Sequence, residues 1–434
     1  MIGCFEQHKG KLLQDLSKEK RVIIFLDSMP QRQGSGASLR FYSNVRAYLD
    51  LNFAVEVIQI ATEADGSQPS EDLSPVVWSR VIEPAPSPAL FGRLMFRAGL
   101  PYQSAMAYAF QKHRIVRQQA EIRRRQYPTA IYHFEGESIA NVVPWLPKTM
   151  RSVWSLHDLP STVASATIKI ACEAQHRPPT IPEQRDLRFM QRAERFMARH
   201  TSLILCIANH DCDRLRDEWG CNSVEYLPMS IPGDGADRST KGWLPDGHLR
   251  LMHLGRVSHL PSYRSLEFLL EQVFPRLPPQ ALERISMDVV GRVDEDERAR
   301  KILALAAPYP NVSFRGFVED VVPYYENSDL QIVASTDAAG LRTRTIESFA
   351  YGLPVLSTTI GARGIAGLNA GEHLLIADDA AQFAKHLSHL MDAPETLARL
   401  SLSGRNFYQK NQSRTAVASA LAGYLQQHFE IPAS

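Results

Sequence analysis

Short apolar runs alternate with longer amphipathic stretches along nearly the whole chain, the pattern of an α/β protein with parallel sheets. In the first half the runs 21–27 (RVIIFLD), 54–60, 130–134, 152–156 and 202–207 predict strands. Helix-like segments lie between them, one from Ser38 to Leu51 carrying apolar Leu39, Val45 and Leu49. A second series of strands is predicted at 249–255, 285–291, 312–316, 330–335 and 354–358.

Residues 230–248, rich in Gly, Pro, Ser and Asp with no apolar periodicity, separate the two series as a linker. The expected organisation is therefore a domain at 1–240, a second at 241–410, and a C-terminal helix at 411–434 that packs back on the first. From Ala380 to Phe429 the pattern is helical, with Phe383, Leu387 and Leu390 at helix spacing and a break expected at Ser401–Gly404. Two doubly wound domains are expected to bind ligands at the carboxyl ends of their strands, facing each other across a cleft.

Length supports two cores rather than one, since 434 residues exceed what a single core usually sustains. A net charge of +1 leaves no overall field to attract a polyanion, and no zinc, RNA-binding or helix-turn-helix signature argues for nucleic acid. The cysteines Cys4, Cys172, Cys206, Cys212 and Cys221 are odd in number and show no CxxC spacing, so neither a disulfide framework nor a zinc site is indicated. Isolated thiols, a charged N-terminus without an apolar core, and no apolar run of about 20 residues point to a cytoplasmic protein, at most peripheral to a membrane.

The densest candidate chemistry follows the run LQIVAS, in DAAGLRTRTIESFAYGLPV (337–355). Gly340 falls at a strand-to-helix turn, and a helix over 341–350 would offer unpaired N–H groups and the positive end of its dipole to a phosphate. Arg344 and Glu347, three apart, share one helix face: a surface ion pair, or a cation for a diphosphate beside a carboxylate for ribose hydroxyls.

The pieces LMHLGRVSHLPSYRSLEFLLEQVFPRL, MDVVGR, NVSFRGFVEDVVPYYENSDLQIVAS and GLRTRTIESFAYGLPVLSTTIGARGI occur in that order over about 250–367. Together they resemble glycosyltransferase family 4, retaining nucleotide-sugar enzymes of the GT-B fold with two Rossmann-like domains. The resemblance implies that Glu347 binds the donor ribose. It implies that Arg256, Arg344, Gly340 and Leu341 serve the diphosphate, and that Gly316, Phe317 and Val318 frame the base. It further implies a UDP- or GDP-type donor as substrate, no cofactor and no metal. Two family positions differ: Ala339 stands where the first glutamate of a paired motif is expected, and Leu260, Pro261 and Ser262 stand near a missing lysine. These departures leave sugar handling, and even turnover, open.

In the first half, Gly34 and Gly36 follow the first predicted strand and resemble that family's glycine-rich loop toward the diphosphate; nearby Arg40 reads as solvated surface. His157 lies just past the run SVWSL, at a predicted sheet edge, where the family carries a histidine for the donor sugar. Asp158 is either its partner or a cap for the next helix. Glu135, at the end of 130–134, is an acceptor-binding group, a base or a solvated loop residue. The segment 89–126 mixes aromatics with Arg93, Arg97, Arg114, Arg117, Arg123, Arg124 and Arg125, a solvated helix face or a contact with an anionic membrane. The expected partners are a nucleotide-sugar donor and a glycan, lipid-linked or protein acceptor. A nucleotide-sugar epimerase and a non-catalytic nucleotide- or partner-binding protein remain as alternatives.

Overall fold

A computed structural model describes residues 20–32, 36–61, 68–82, 103–231, 238, 241–336 and 340–431, with 103–112 and Ala174 by backbone only. The chain divides into two compact units, Met1–Ser230 with Arg414–Ser434, and Ile231–Ser413.

The first unit is built on a seven-stranded parallel sheet ordered β3-β2-β1-β4-β5-β6-β7. Its strands are β1 (Arg21–Leu26), β2 (Ala54–Ala61), β3 (Val77–Ile82), β4 (Ile131–Glu135), β5 (Arg151–Leu156), β6 (Leu203–Cys206) and β7 (Val224–Tyr226). The centre of β1 is buried on both faces, as the continuous apolar run 22–26 requires of a strand covered by helices on either side. On one face, Ile24 and Val57 pack with Val45 and Tyr48 of the helix Gly36–Asp50 and with Val417, Leu421 and Leu425 of the C-terminal helix Arg414–Phe429. On the other, Ile23, Phe25 and Phe134 pack with Val116 and Ala120.

The second unit holds a six-stranded parallel sheet ordered β10-β9-β8-β11-β12-β13. These strands are β8 (Leu249–Leu254), β9 (Ile285–Val290), β10 (Val312–Gly316), β11 (Leu330–Val333), β12 (Val355–Ser357) and β13 (Leu375–Ile376). Numbered within the unit, the order is 3-2-1-4-5-6, so strand order reverses between β8 and β11. The start of the unit is anchored beneath this point: Lys241 Nζ lies 2.9 Å from the buried Asp329 carboxylate, which also accepts from the Arg250 backbone N–H.

The predicted break at Ser401–Gly404 is not there. One helix runs from Pro394 to Asn411, and the interruptions fall at Met391–Ala393, before the proline, and at Gln412–Ser413. Gly404 stays helical because Phe349 needs the space: a Cβ there would stand 2.7 Å from its ring. Ser401 turns its hydroxyl to the Gly352 carbonyl, 2.6 Å away, instead of unwinding its own turn. Among the described residues no helix is long and apolar enough to cross a membrane.

Candidate functional site

In the second unit the switch point is lined by the residues that end β8 and follow β11. Gly255, after β8, adopts φ 147°, and a Cβ there would meet Ser262 Oγ at 2.3 Å, so only glycine lets the helix Leu260–Phe268 start this close. Gly340, at φ 77°, turns the chain into the helix Thr343–Ala350. That helix begins two residues later than 341, with Arg342 as its N-terminal cap position. Its first N–H groups and its dipole end open beside Gly340 and Leu341 at the sheet's carboxyl edge.

Arg344 is aimed by two fixed partners. Its Nη1 lies 3.4 Å from His253 Nε2 and its Nη2 3.5 Å from Ser262 Oγ. Burial, with the Arg344 charge beside it, pushes the His253 imidazole well below the usual histidine range, so its neutral ring serves as an acceptor. Glu347, one turn on, sits in a recess, partly accessible yet packed round by protein. Burial pushes its carboxyl up to about 7, and the Tyr325 hydroxyl and the Arg344 charge offset only part of that. The buried Tyr325 ring stacks on Tyr351 at 4.6 Å.

Arg256 follows Gly255 but forms a two-pronged ion pair with Asp294, at 2.7 and 2.9 Å, with its side chain largely in solvent. Gly316 ends β10 in the left-handed region, and its carbonyl accepts from Gly291 N–H. Phe317 beyond it is 72% exposed, whereas Val318 packs on the cluster of Met252, Val290 and Tyr325. Arg256, Arg344, Gly340, Leu341, Glu347 and the loop 316–318 therefore all lie along the carboxyl edge of one sheet. Ala339 and Gly34 lie outside the described residues.

In the first unit, two periodicities assemble a polar cluster, of which the sequence reading missed Asn44, Tyr48 and Ser155 and misplaced Arg40. His133 and Glu135 alternate on β4, Ser155 and His157 alternate along β5 and its extension, and Glu135 pairs with Ser155 across the strands. Arg40, Asn44 and Tyr48, four apart on the helix Gly36–Asp50, present one face to them. Asn44 Nδ2 donates to Glu135 Oε1 at 2.7 Å and to Ser155 Oγ at 3.0 Å. His133 Nε2 lies 3.2 Å from the same glutamate oxygen, with its Nδ1 3.0 Å from the Tyr48 hydroxyl. His157 Nε2 lies 3.6 Å from Glu135 Oε2, and the ring rests on Phe41.

Arg40 corrects its expected place on the solvated surface. It is fully buried, donating from Nε to Ser155 Oγ and from Nη1 to the Leu227 and Pro228 carbonyls. Its position in the helix turns it inward, and those acceptors with the Glu135 charge offset the loss of water. Burial pulls its guanidinium down to about 10, so it stays charged at neutral pH. Burial likewise pushes the Glu135 carboxyl up, but the imidazoles of His133 and His157 outweigh that and hold it well below the usual carboxylate range. Glu135 is 1% exposed, so it is no solvated loop residue; His157 is the half-buried member of the cluster. The helix Pro160–Ala174 starts on Ser161, whose N–H donates to the buried Glu194 carboxylate at 2.6 Å.

Gly36 opens the helix Gly36–Asp50 and is exposed. Of the basic segment, 89–102 falls outside the described residues. Further along, Arg123 pairs with Glu56, and Arg124 and Arg125 both pair with Glu121. Arg342, unremarked in the sequence, is buried with Nε 2.8 Å from Ser335 Oγ. No sequence signal marked His253 or Tyr325; the polar repeat at 40, 44 and 48 could have marked the cluster in the first unit.

Residues 248–393 match the family model of glycosyl transferases group 1. Among solved structures, the sucrose-phosphate synthase of Thermosynechococcus elongatus superposes with a TM-score of 0.66, at 18% identity over 95% of this chain and 100% of that one. HepE of Anabaena, solved with UDP and glucose, gives 0.60 at 14% identity over 94% and 100%. WaaG, a glycosyltransferase of lipopolysaccharide biosynthesis, gives 0.58 at 16% identity over 92% and 98%. A 44.6 kDa Klebsiella pneumoniae protein from the cps region, itself uncharacterized, is 23% identical over 213 residues, 44% of this chain. The chain thus spans about half (54%) of the length of the curated relative it matches. The match covers a group 1 glycosyltransferase domain within the second unit, and the likeness to these solved structures shows a GT-B fold.

Proposed function

We propose that the protein transfers a sugar from a nucleoside diphosphate to a hydroxyl of a glycan, lipid-linked or protein acceptor in surface-glycan or glycoconjugate synthesis. One observation carries this reading: an arginine aimed by His253 and Ser262 stands at the switch point of a 3-2-1-4-5-6 sheet, one turn from a recessed glutamate. A diphosphate at the opening of the helix Thr343–Ala350 meets N–H groups, Arg344 and, once it leaves Asp294, Arg256. The Glu347 carboxylate accepts from ribose hydroxyls, and the loop 316–318 borders the base. HepE, which binds UDP and glucose, and WaaG, which acts in lipopolysaccharide biosynthesis, support this donor class and setting.

In the proposed reaction the bond from the anomeric carbon to the diphosphate oxygen breaks. The acceptor oxygen bonds to that carbon on the same face, and its proton passes to the departing diphosphate. Charge on the leaving group is met by arginines and helix N–H groups, which is why a metal-independent transfer fits these residues, and the same-face attack makes it a retaining one. In the first unit His157 is the group offered to the sugar, and Glu135 positions its ring.

Calorimetry with UDP and GDP, followed by turnover on a panel of UDP- and GDP-sugars, tests the reading. Arg344→Ala and Glu347→Ala should each abolish measurable turnover. Tight nucleotide binding with neither transfer nor donor hydrolysis would leave the non-catalytic alternative standing in its place.

A further inference from the structure

The helix Ile181–Ala198 has an outer face of unusual composition. At about 100° per residue, Ile181, Arg185, Arg188, Phe189, Arg192, Arg195 and Phe196, with Arg199 just beyond, fall within an arc of about 120°. Every member is exposed and none is acidic. The acids of this helix lie elsewhere: Glu194 is buried on Ser161, Glu183 is paired with Arg177, and Asp186 is off the arc. Among the described residues, no carboxylate pairs with Arg188, Arg192 or Arg199. Trp145, 58% exposed, extends the arc by meeting Phe196 edge-on at 6.4 Å, and Lys148 stands exposed beside it in the chain.

Large aromatic side chains left in water among arginines call for an occupant that is apolar below and anionic above. A second copy docking the same face through a two-fold axis would set arginine against arginine. Phosphate headgroups over an acyl boundary meet both demands: arginines bind the phosphates while Trp145, Phe189 and Phe196 enter the boundary layer. We propose that this face, which adjoins the basic segment 89–126 where Trp145 meets His113 edge-on at 6.1 Å, docks the protein on an anionic bilayer surface. The inference rests on the surface alone and is independent of the donor-site reading.

The experiment is co-sedimentation of the full chain with phosphatidylcholine vesicles and with vesicles of phosphatidylcholine and phosphatidylglycerol. The wild type should partition onto the anionic vesicles only, and 0.5 M salt should release it. Arg188→Glu with Arg192→Glu should weaken that partition by roughly tenfold or more, and Phe189→Ser with Phe196→Ser should weaken it without removing the salt dependence. Unchanged melting temperatures would show that these exposed substitutions leave the fold intact. Wild-type protein that ignores anionic vesicles at low salt, or variants that bind as well as it does, would overturn the proposal. A dimer in sedimentation velocity that Arg192→Glu dissolves would overturn it too, giving the face to a second copy.

Discussion

Two glutamates, each near the carboxyl end of a parallel sheet, meet opposite fates. Glu135 is enclosed with three donors, Asn44, His133 and His157, and its carboxyl is held below the usual range although burial pushes the other way. Glu347 is enclosed with little to donate to it, and burial pushes it up to about 7. Burial raises a carboxyl by removing water; the protonation state then depends on how many donors the fold supplies in its place. The first arrangement is a charge-compensated internal network, though Glu135 Oε2, Asn44 Oδ1 and Arg40 Nη2 accept or donate no hydrogen bond within it. The second has less compensation, which ribose hydroxyls would add to.

The largest expected effect breaks the charge-compensated side. Glu135→Ala leaves Arg40 and two histidines facing an emptied, buried position and should cost about 3–5 kcal/mol of stability, read from urea unfolding. Glu135→Gln, nearly isosteric, should recover much of that while lowering kcat more than it changes KM. If the alanine variant unfolds like the wild type, the cluster does not hold the first unit together.

Next comes the donor side. Arg344→Ala should weaken UDP or GDP binding by about 2 kcal/mol in calorimetry, the worth of hydrogen bonds to a charged group. Titration sharpens the contrast further. Below pH about 7 Glu347 is protonated in the free protein, so nucleotide affinity should fall as pH drops through that value. Glu347→Gln should lose about 1 kcal/mol of affinity and show no such pH dependence. The stability sign is the reverse: with a raised folded-state pKa, the Glu347 contribution is full below the ordinary carboxyl value and is lost as pH rises through about 7. The smallest effect concerns Arg256. Asp294→Asn should release its guanidinium and tighten nucleotide binding slightly; weaker binding would mean that Asp294 orients Arg256 for the ligand rather than holding it away.

Much of the scaffold was legible beforehand because it depends on local periodicity. Strand β1 stands out as a continuous apolar run, and β2, β8 and β9 as mostly apolar ones interrupted by single polar residues. The exposed or very short strands β3, β7 and β13 carry no such run and went unseen. The helix after β11 was also legible, since Gly340 and the pattern of TRTIESFA announce it locally. The continuity of the helix Pro394–Asn411 was not. Glycine and serine are breakers by themselves, and only the Phe349 ring and the Gly352 carbonyl give those residues a reason to remain helical.

The sequence by itself therefore determined the central strands and most of the helices, their α/β alternation, and which arginines and glutamates fall near strand ends. Tertiary structure alone decided what those charged groups became. It buried Arg40, surrounded Glu135 with donors, left Glu347 with only the Tyr325 hydroxyl and the Arg344 charge, and turned Arg344 onto His253. The physical reason is range: periodicity is a property of neighbours in the chain. A charge in a protein interior answers to groups such as Ser155, Leu227 and His253, which lie 91 to 187 positions away in sequence.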